Sequence, residues 1–179
     1  MKPLTVIKSL IAVMCICGFV SDAVSAAPIN ETDTKNLLFL KQEEKIARDV
    51  YLYLSGLWPE ANTFQNIAVS EQQHMDAVDG LLVYYGLTAQ DTTQGEGDAP
   101  GVFADPSFQD LYDSLTGRGE VSLEEALYVG VFIEEMDIKD LTEFMEATTQ
   151  KRIDRVMGSL CAGSYNHLEA FTKALDALQ

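Results

Sequence analysis

Four long amphipathic stretches each place an ionisable residue on an apolar stripe, and this pattern limits the fold more than any other feature of the chain. The first spans about 34–55, where Leu37, Leu40, Ala47, Tyr51 and Leu54 recur at three- and four-residue steps, and Glu44 falls in the same series. The second spans about 63–85 through Ile67, Val78, Leu81 and Tyr85, with Glu71 and His74 on the stripe. The third opens at Ser122, whose Ser-Leu-Glu-Glu run offers a capping box, and continues through Leu127, Val131, Ile138 and Leu141 with Glu134 among them. The fourth spans about 151–178, with Val156, Leu160, Gly163, Phe171 and Ala174 in series with His167.

Burying a lone carboxylate costs several kcal/mol even after relaxation, so inward charges must be paired, protonated or bound to a cation. The partners on offer here are mostly other carboxylates. Glu44, Glu71 and Glu134 would repel one another if they converged ionised, and a metal ion or pair of ions would compensate that charge. The Glu71-x-x-His74 spacing suits such a site, because three residues rise about 4.5 Å and turn about 300°, leaving both side chains on one face. Glu44 and Glu71 lie within about 5 Å of the same height if the first two helices pack antiparallel. A turn near Thr148 and Thr149 leaves Glu134 and His167 about 6 Å apart in height, which tilt or a break at Asp137 would have to absorb.

Each assignment has a plainer alternative. Glu44 could be paired with Arg48 while Glu43 takes the inward position, and Glu135 could replace Glu134 after a small rotation. Glu71 and His74 could lie on a solvated face. His167 could be a core histidine bonded to a carboxylate. Tyr51, Tyr84, Tyr85 and Tyr165 are read as core aromatics rather than redox groups, and the methionines as core filler.

Gly56 with Pro59 and Gly86 are expected to stop the first two helices. Residues 88–106 are rich in Thr, Gln, Gly, Asp and Pro and read as a long connection, followed by a short helix over 107–116 that Gly117 ends. No run alternates as a strand. The expected fold is therefore all-α: a four-helix bundle with a long crossover between helices two and three that holds a short extra helix.

Residues 1–26 have the form of a secretory signal, with Lys2 and Lys8 before an apolar run and Val24-Ser25-Ala26 behind it. Residues 27–33 then form an N-terminal extension and 34–179 a single helical domain, secreted or held in the periplasm or cell envelope. Cys15 and Cys17 fall in the signal, so Cys161 has no internal disulfide partner and reads as a buried apolar residue. A formal net charge of −16 argues against nucleic acid and, after signal cleavage, against membrane surfaces as partners. There is no Ser-His-Asp order, phosphate-binding glycine loop, CxxC pair or EF-hand order.

At its inward acids the chain resembles the ferritin-like superfamily, the rubrerythrin type above all. Glu44-Lys-Ile-Ala47-Arg48-Asp-Val-Tyr51 is similar to a Glu-x-x-Ala-Arg-x-x-Tyr segment, and Ile67-Ala68-Val-Ser-Glu71-Gln-Gln-His74 to Ile-Ala-x-x-Glu-x-x-His. From about Thr34 to Leu178 it also resembles the domain of unknown function 2202, through Gly101-Val-Phe, Leu111-Tyr112-Asp113, Gly130, Ile133-Glu134-Glu135-Met136-Asp137-Ile138 and Asn166-His167-Leu168. The resemblance implies a ferritin-like four-helix bundle holding a metal, iron or another divalent ion, mononuclear or dinuclear. It further implies reaction with dioxygen or peroxide, and, since ferritin-like bundles often dimerise, a homodimer.

In that superfamily two helices each supply a Glu and two each supply Glu-x-x-His. Glu44, Glu71, His74, Glu134 and His167 match five of these six positions as metal ligands. The sixth is Ser164, with Asp137 or Glu135 as replacements for the missing charge. The rubredoxin-like cysteine module of some rubrerythrins is absent. The alternative function is a non-catalytic helical binding module with a degenerate metal site, its acids and histidines forming a hydrogen-bonded layer and its acidic surface meeting a cationic partner.

Overall fold

The computed structural model describes residues 29–87 and 99–178. The signal expected at 1–26 and most of the connection at 88–98 lie outside these residues. Among the described residues the secondary structure is entirely helical, in the order α1 (Glu31–Leu57), α2 (Asn62–Tyr84), α3 (Pro106–Gly119), α4 (Leu123–Ala147) and α5 (Lys151–Asp176). None of these helices is long and apolar enough to cross a membrane.

The helix ends follow local chemistry. Asn30 caps α1 by accepting from the Asp33 N–H, Asp105 caps α3 through the Ser107 N–H, and Ser122 caps α4 through the Glu125 N–H. Gly86, at φ +75°, ends α2 in the left-handed conformation. The Leu87 N–H then bonds Leu82 O at 2.8 Å and the Gly86 N–H bonds Val83 O at 3.1 Å, the paired bonds of a Schellman turn.

Two expected stops move. Gly56 lies inside α1, which ends one residue later against Trp58, and Gly117 lies inside α3, which runs on to Gly119. Tertiary contact overrides both glycines: the Trp58 indole N–H donates to Gly119 O at 2.9 Å, joining the two helix ends. Helix α4 continues unbroken through Asp137, which is buried rather than a cap.

Helix α1 packs along α2 and α4, α5 packs along α4 and α2, and α3 lies against α1 and α4. The core falls into two apolar regions. One holds Leu37, Leu40, Val78, Leu81, Ile138, Leu141, Ile153 and Leu160; the other holds Val50, Tyr51, Leu54, Phe64, Ile67, Leu127, Ile133 and Phe171. On all four long helices the change from one region to the other occurs at a short polar interval: 43–44, 71–74, 134–137 and 164–167. The ionisable residues thus form one layer across the helices. Cys161 is buried and unpaired, in the first region.

The segment leading into the third helix is fastened to the first helix by charge. Asp49 accepts from Lys45 Nζ at 2.5 Å, Arg48 Nε at 2.8 Å and the Gly101 N–H at 3.0 Å. Lys45 also donates to Ala99 O and stands over the Phe103 ring. A buried ion pair between α1 residues thereby anchors the far end of the long connection.

Candidate metal centre

The buried stripe of α1 includes Glu44 as the sequence spacing requires, and that of α2 includes Glu71 and His74. Glu134 is buried on α4 while Glu135 is exposed, which removes Glu135 from the site. On α5 the buried series is Ile153, Met157, Leu160, Ser164, His167, Phe171 and Leu175. The series expected through Val156, Gly163 and Ala174 is only half-buried. Ser164 therefore faces the interior beside His167. Tyr51 is fully buried, whereas Tyr84 and Tyr165 are exposed and do not belong to the core.

Glu71 stands between the two histidines. Its Oε2 lies 2.9 Å from His74 Nδ1 and its Oε1 lies 2.8 Å from His167 Nδ1. Glu44 Oε2 lies 3.1 Å from His74 Nδ1, and Glu134 Oε2 lies 3.4 Å from His167 Nδ1. Two three-residue groups result, Glu44–Glu71–His74 and Glu71–Glu134–His167, each with donor atoms within 4.8 Å of one another. Glu71 belongs to both. All five residues expected at the site meet in one layer.

The height offset between Glu134 and His167 is absorbed without a break in α4. Side chains lean towards the N-terminus of their own helix, so on antiparallel α4 and α5 the two lean in opposite directions and converge.

Several neighbours were not assigned to the site from the sequence. Tyr51 Oη donates to Glu134 Oε1 at 2.7 Å, and Ser70 Oγ lies 2.8 Å from His167 Nε2. With Nε2 bonded to a hydroxyl, His167 is oriented with Nδ1 towards the carboxylates. Gly163 makes room for the other imidazole, since a Cβ there would stand 2.6 Å from His74 Nε2. Arg48 engages Asp49 and, at 2.6 Å, Gln72, while Glu44 meets His74. Glu43 is buried as well as Glu44, so the two are not alternatives. Tyr51 was the most accessible of these from sequence, lying two turns beyond Glu44 on the same stripe.

Electrostatics concentrates protons in this layer. Burial raises Glu44 well above the usual carboxylate range, reinforced by the charge of Asp137. Burial also lifts Glu134 and Asp137 to about 7 each, and it lifts Glu43, which faces Asp137 and Asp140, to about 10. Glu71 is the exception: burial opposes its charge, yet the His167 and His74 rings on either side hold it at about 2. Burial disfavours charge on the histidines, but their carboxylate neighbours raise His74 to about 11 and His167 to about 9.

The donor set fits a metal. Three buried glutamates meet the two histidines, with Glu43 and Asp137 buried nearby, and Glu44 Oε1, Glu71 Oε1, Asp137 Oδ1, His167 Nδ1 and both Glu43 oxygens have no hydrogen-bond partner. Such atoms are rare in a folded interior, where unsatisfied polar groups cost about 1–3 kcal/mol each. Mixed imidazole and carboxylate donors suit first-row transition ions.

Residues 33–178 match a family described as an uncharacterized protein domain, DUF2202. The chain is 42% identical over 149 residues to the uncharacterized protein MJ0754 of Methanocaldococcus jannaschii, covering 83% of this chain and 78% of the relative. The crystal structure of the hypothetical protein MJ0754 superposes with a TM-score of 0.79 at 41% identity, covering 85% of this chain and 84% of that one. With the match running through every long helix and the whole polar layer, the chain belongs to the DUF2202 family.

Proposed function

We propose that this protein is an exported, ferritin-like metal-binding protein whose four long helices form a bundle around a pair of transition-metal ions, iron being the first candidate. The observation that supports this most is Glu71, whose two oxygens lie between His74 and His167 while Glu44 and Glu134 flank them. Glu44, Glu71 and His74 would hold one ion, and Glu71, Glu134 and His167 the other. Iron bound there supplies one-electron chemistry towards dioxygen or peroxide. The chain's own residues orient the imidazoles through Ser70 and hold Glu134 through Tyr51. The apolar regions above and below the layer exclude bulk water.

A second reading, a binding module with a degenerate site, has the Ser164 hydroxyl in its favour, since serine stands where the superfamily has a carboxylate. Loading the metal-free full chain anaerobically with ferrous iron separates the two. Stoichiometric binding with a large rise in melting temperature, lost in Glu71→Ala, supports the metal reading. Identical melting with and without chelator and no retained iron supports the inert module.

A further inference from the structure

We propose that Asp137 and Ser164 together replace the sixth carboxylate of the centre, Asp137 on α4 supplying the charge and Ser164 on α5 holding it in place. This inference rests on the metal-binding reading. Ser164 is fully buried, and its single hydroxyl proton is shared between Asp137 Oδ2 at 2.5 Å and, within its own helix, Leu160 O at 3.1 Å. The serine proton is thus committed to Asp137 and to its own helix, and the neutral hydroxyl brings none of the charge that a sixth carboxylate would supply. Asp137 is buried one turn after Glu134, and its other oxygen, Oδ1, has no partner.

The distance has a covalent counterpart. In a glutamate, bond lengths of about 1.5 Å and 1.2 Å place the carboxylate oxygens about 2.4 Å from Cγ. Ser Oγ occupies the γ position, so Asp137 Oδ2 stands from it as far as a glutamate's own oxygen would stand from its γ carbon. A hydrogen bond between two helices thus spans the distance that two covalent bonds, Cγ–Cδ and Cδ–O, span within a glutamate side chain. The unpartnered Oδ1 belongs to a residue of the 134–137 polar interval on α4, one turn after Glu134. Asp137 belongs to neither three-residue donor group, and on this assignment it is a sixth residue beside a five-residue set.

The test uses the full chain, loaded with cobalt(II) or, anaerobically, with ferrous iron, and reads metal content after dialysis together with the cobalt absorption spectrum. Wild type should retain two ions per chain. Asp137→Asn, with helicity checked by circular dichroism, should weaken the second ion by about 10- to 100-fold, and Ser164→Ala should do so by about tenfold. The paired exchange D137S/S164E returns the carboxylate to α5 and should restore two ions. Wild-type affinity and spectrum in Asp137→Asn, or failure of D137S/S164E to rescue a folded chain, overturns the inference while leaving the five-residue site standing. A wild type that retains no metal overturns both.

Discussion

Glu71 Oε1 and His167 Nδ1 lie 2.8 Å apart, yet neither atom has a hydrogen-bond partner, because their directions do not align for one. Both residues belong to the Glu71–Glu134–His167 group, whose ligand atoms lie within 4.8 Å of one another. The other oxygen, Glu71 Oε2, lies 2.9 Å from Nδ1 of His74. In the metal-free protein it is the carboxylate that stays ionised between two raised imidazoles. Glu71→Gln should therefore destabilise the metal-free chain by about 3–5 kcal/mol, since it leaves buried positive charge unpaired. Urea unfolding in chelator measures this, and the same variant should fail to retain either ion.

The pH dependence of the metal-free protein should run opposite to that of its metal affinity. His74 and His167 are raised in the folded state to about 11 and about 9, so their contribution is complete below about 6.5 and is lost as pH rises through those values. Glu43, raised to about 10, and Glu134 and Asp137, raised to about 7, act in the same sense. Folding favours their protonated forms, and stability falls as pH climbs past the unfolded carboxylate range. Glu71, held at about 2, opposes this only below the unfolded carboxylate range, near pH 4.5 and down to about 2. Thermal melting in chelator should thus be highest in mild acid and decline towards pH 9. Metal binding requires these protons to leave, so affinity should rise over the same interval. A metal-free melting temperature that climbs steadily from pH 5 to 9 contradicts this assignment of protons.

Glu44, Glu71, His74, Glu134 and His167 were legible because a charge on an apolar stripe is conspicuous at helical spacing, and the structure brings all five together. Ser164 was visible only as a departure from a pattern. Its role depends on Asp137 from another helix, and no spacing along one chain segment encodes a contact between residues so far apart in sequence. The α5 stripe was displaced by about one residue because Val156, Gly163 and Ala174 are small or apolar enough to suit either a buried or a flanking position. Gly117 misled for a related reason: glycine weakens a helix by only about 1 kcal/mol, which packing of α3 against α1 and α4 exceeds.

Tyr51 supports Glu134 through one hydroxyl while its ring serves the core, with Phe171 and Phe64 at centroid distances of 5.1 and 6.3 Å. Tyr51→Phe keeps that packing and removes only the donor. The cost should be about 1–3 kcal/mol, as expected when a buried acceptor loses its partner. Tyr51→Ala should cost more, about 3–5 kcal/mol, from the cavity left between the two phenylalanines. Equal losses in the two variants would mean that the hydroxyl, rather than the ring, dominates the site.

Two glycines on α5 should respond to the same substitution with opposite signs. At Gly158 an added Cβ would meet Met145 Sδ at 3.6 Å, an ordinary contact. Gly158→Ala should then gain the helix-propensity difference, about 0.5–1 kcal/mol. At Gly163 the added Cβ would stand 2.6 Å from His74 Nε2, so the imidazole must move. That ring is held by Glu44 and Glu71 on its other nitrogen, at 3.1 and 2.9 Å, and cannot shift without loosening both contacts. Gly163→Ala should lose about 1–3 kcal/mol despite the propensity gain. It should also weaken the ion assigned to Glu44, Glu71 and His74 more than the one assigned to His167. Unfolding of the two alanine variants side by side, with cobalt(II) titration of each, reads both effects, and stabilisation by Gly163→Ala with unchanged cobalt affinity would show that His74 is not confined as described.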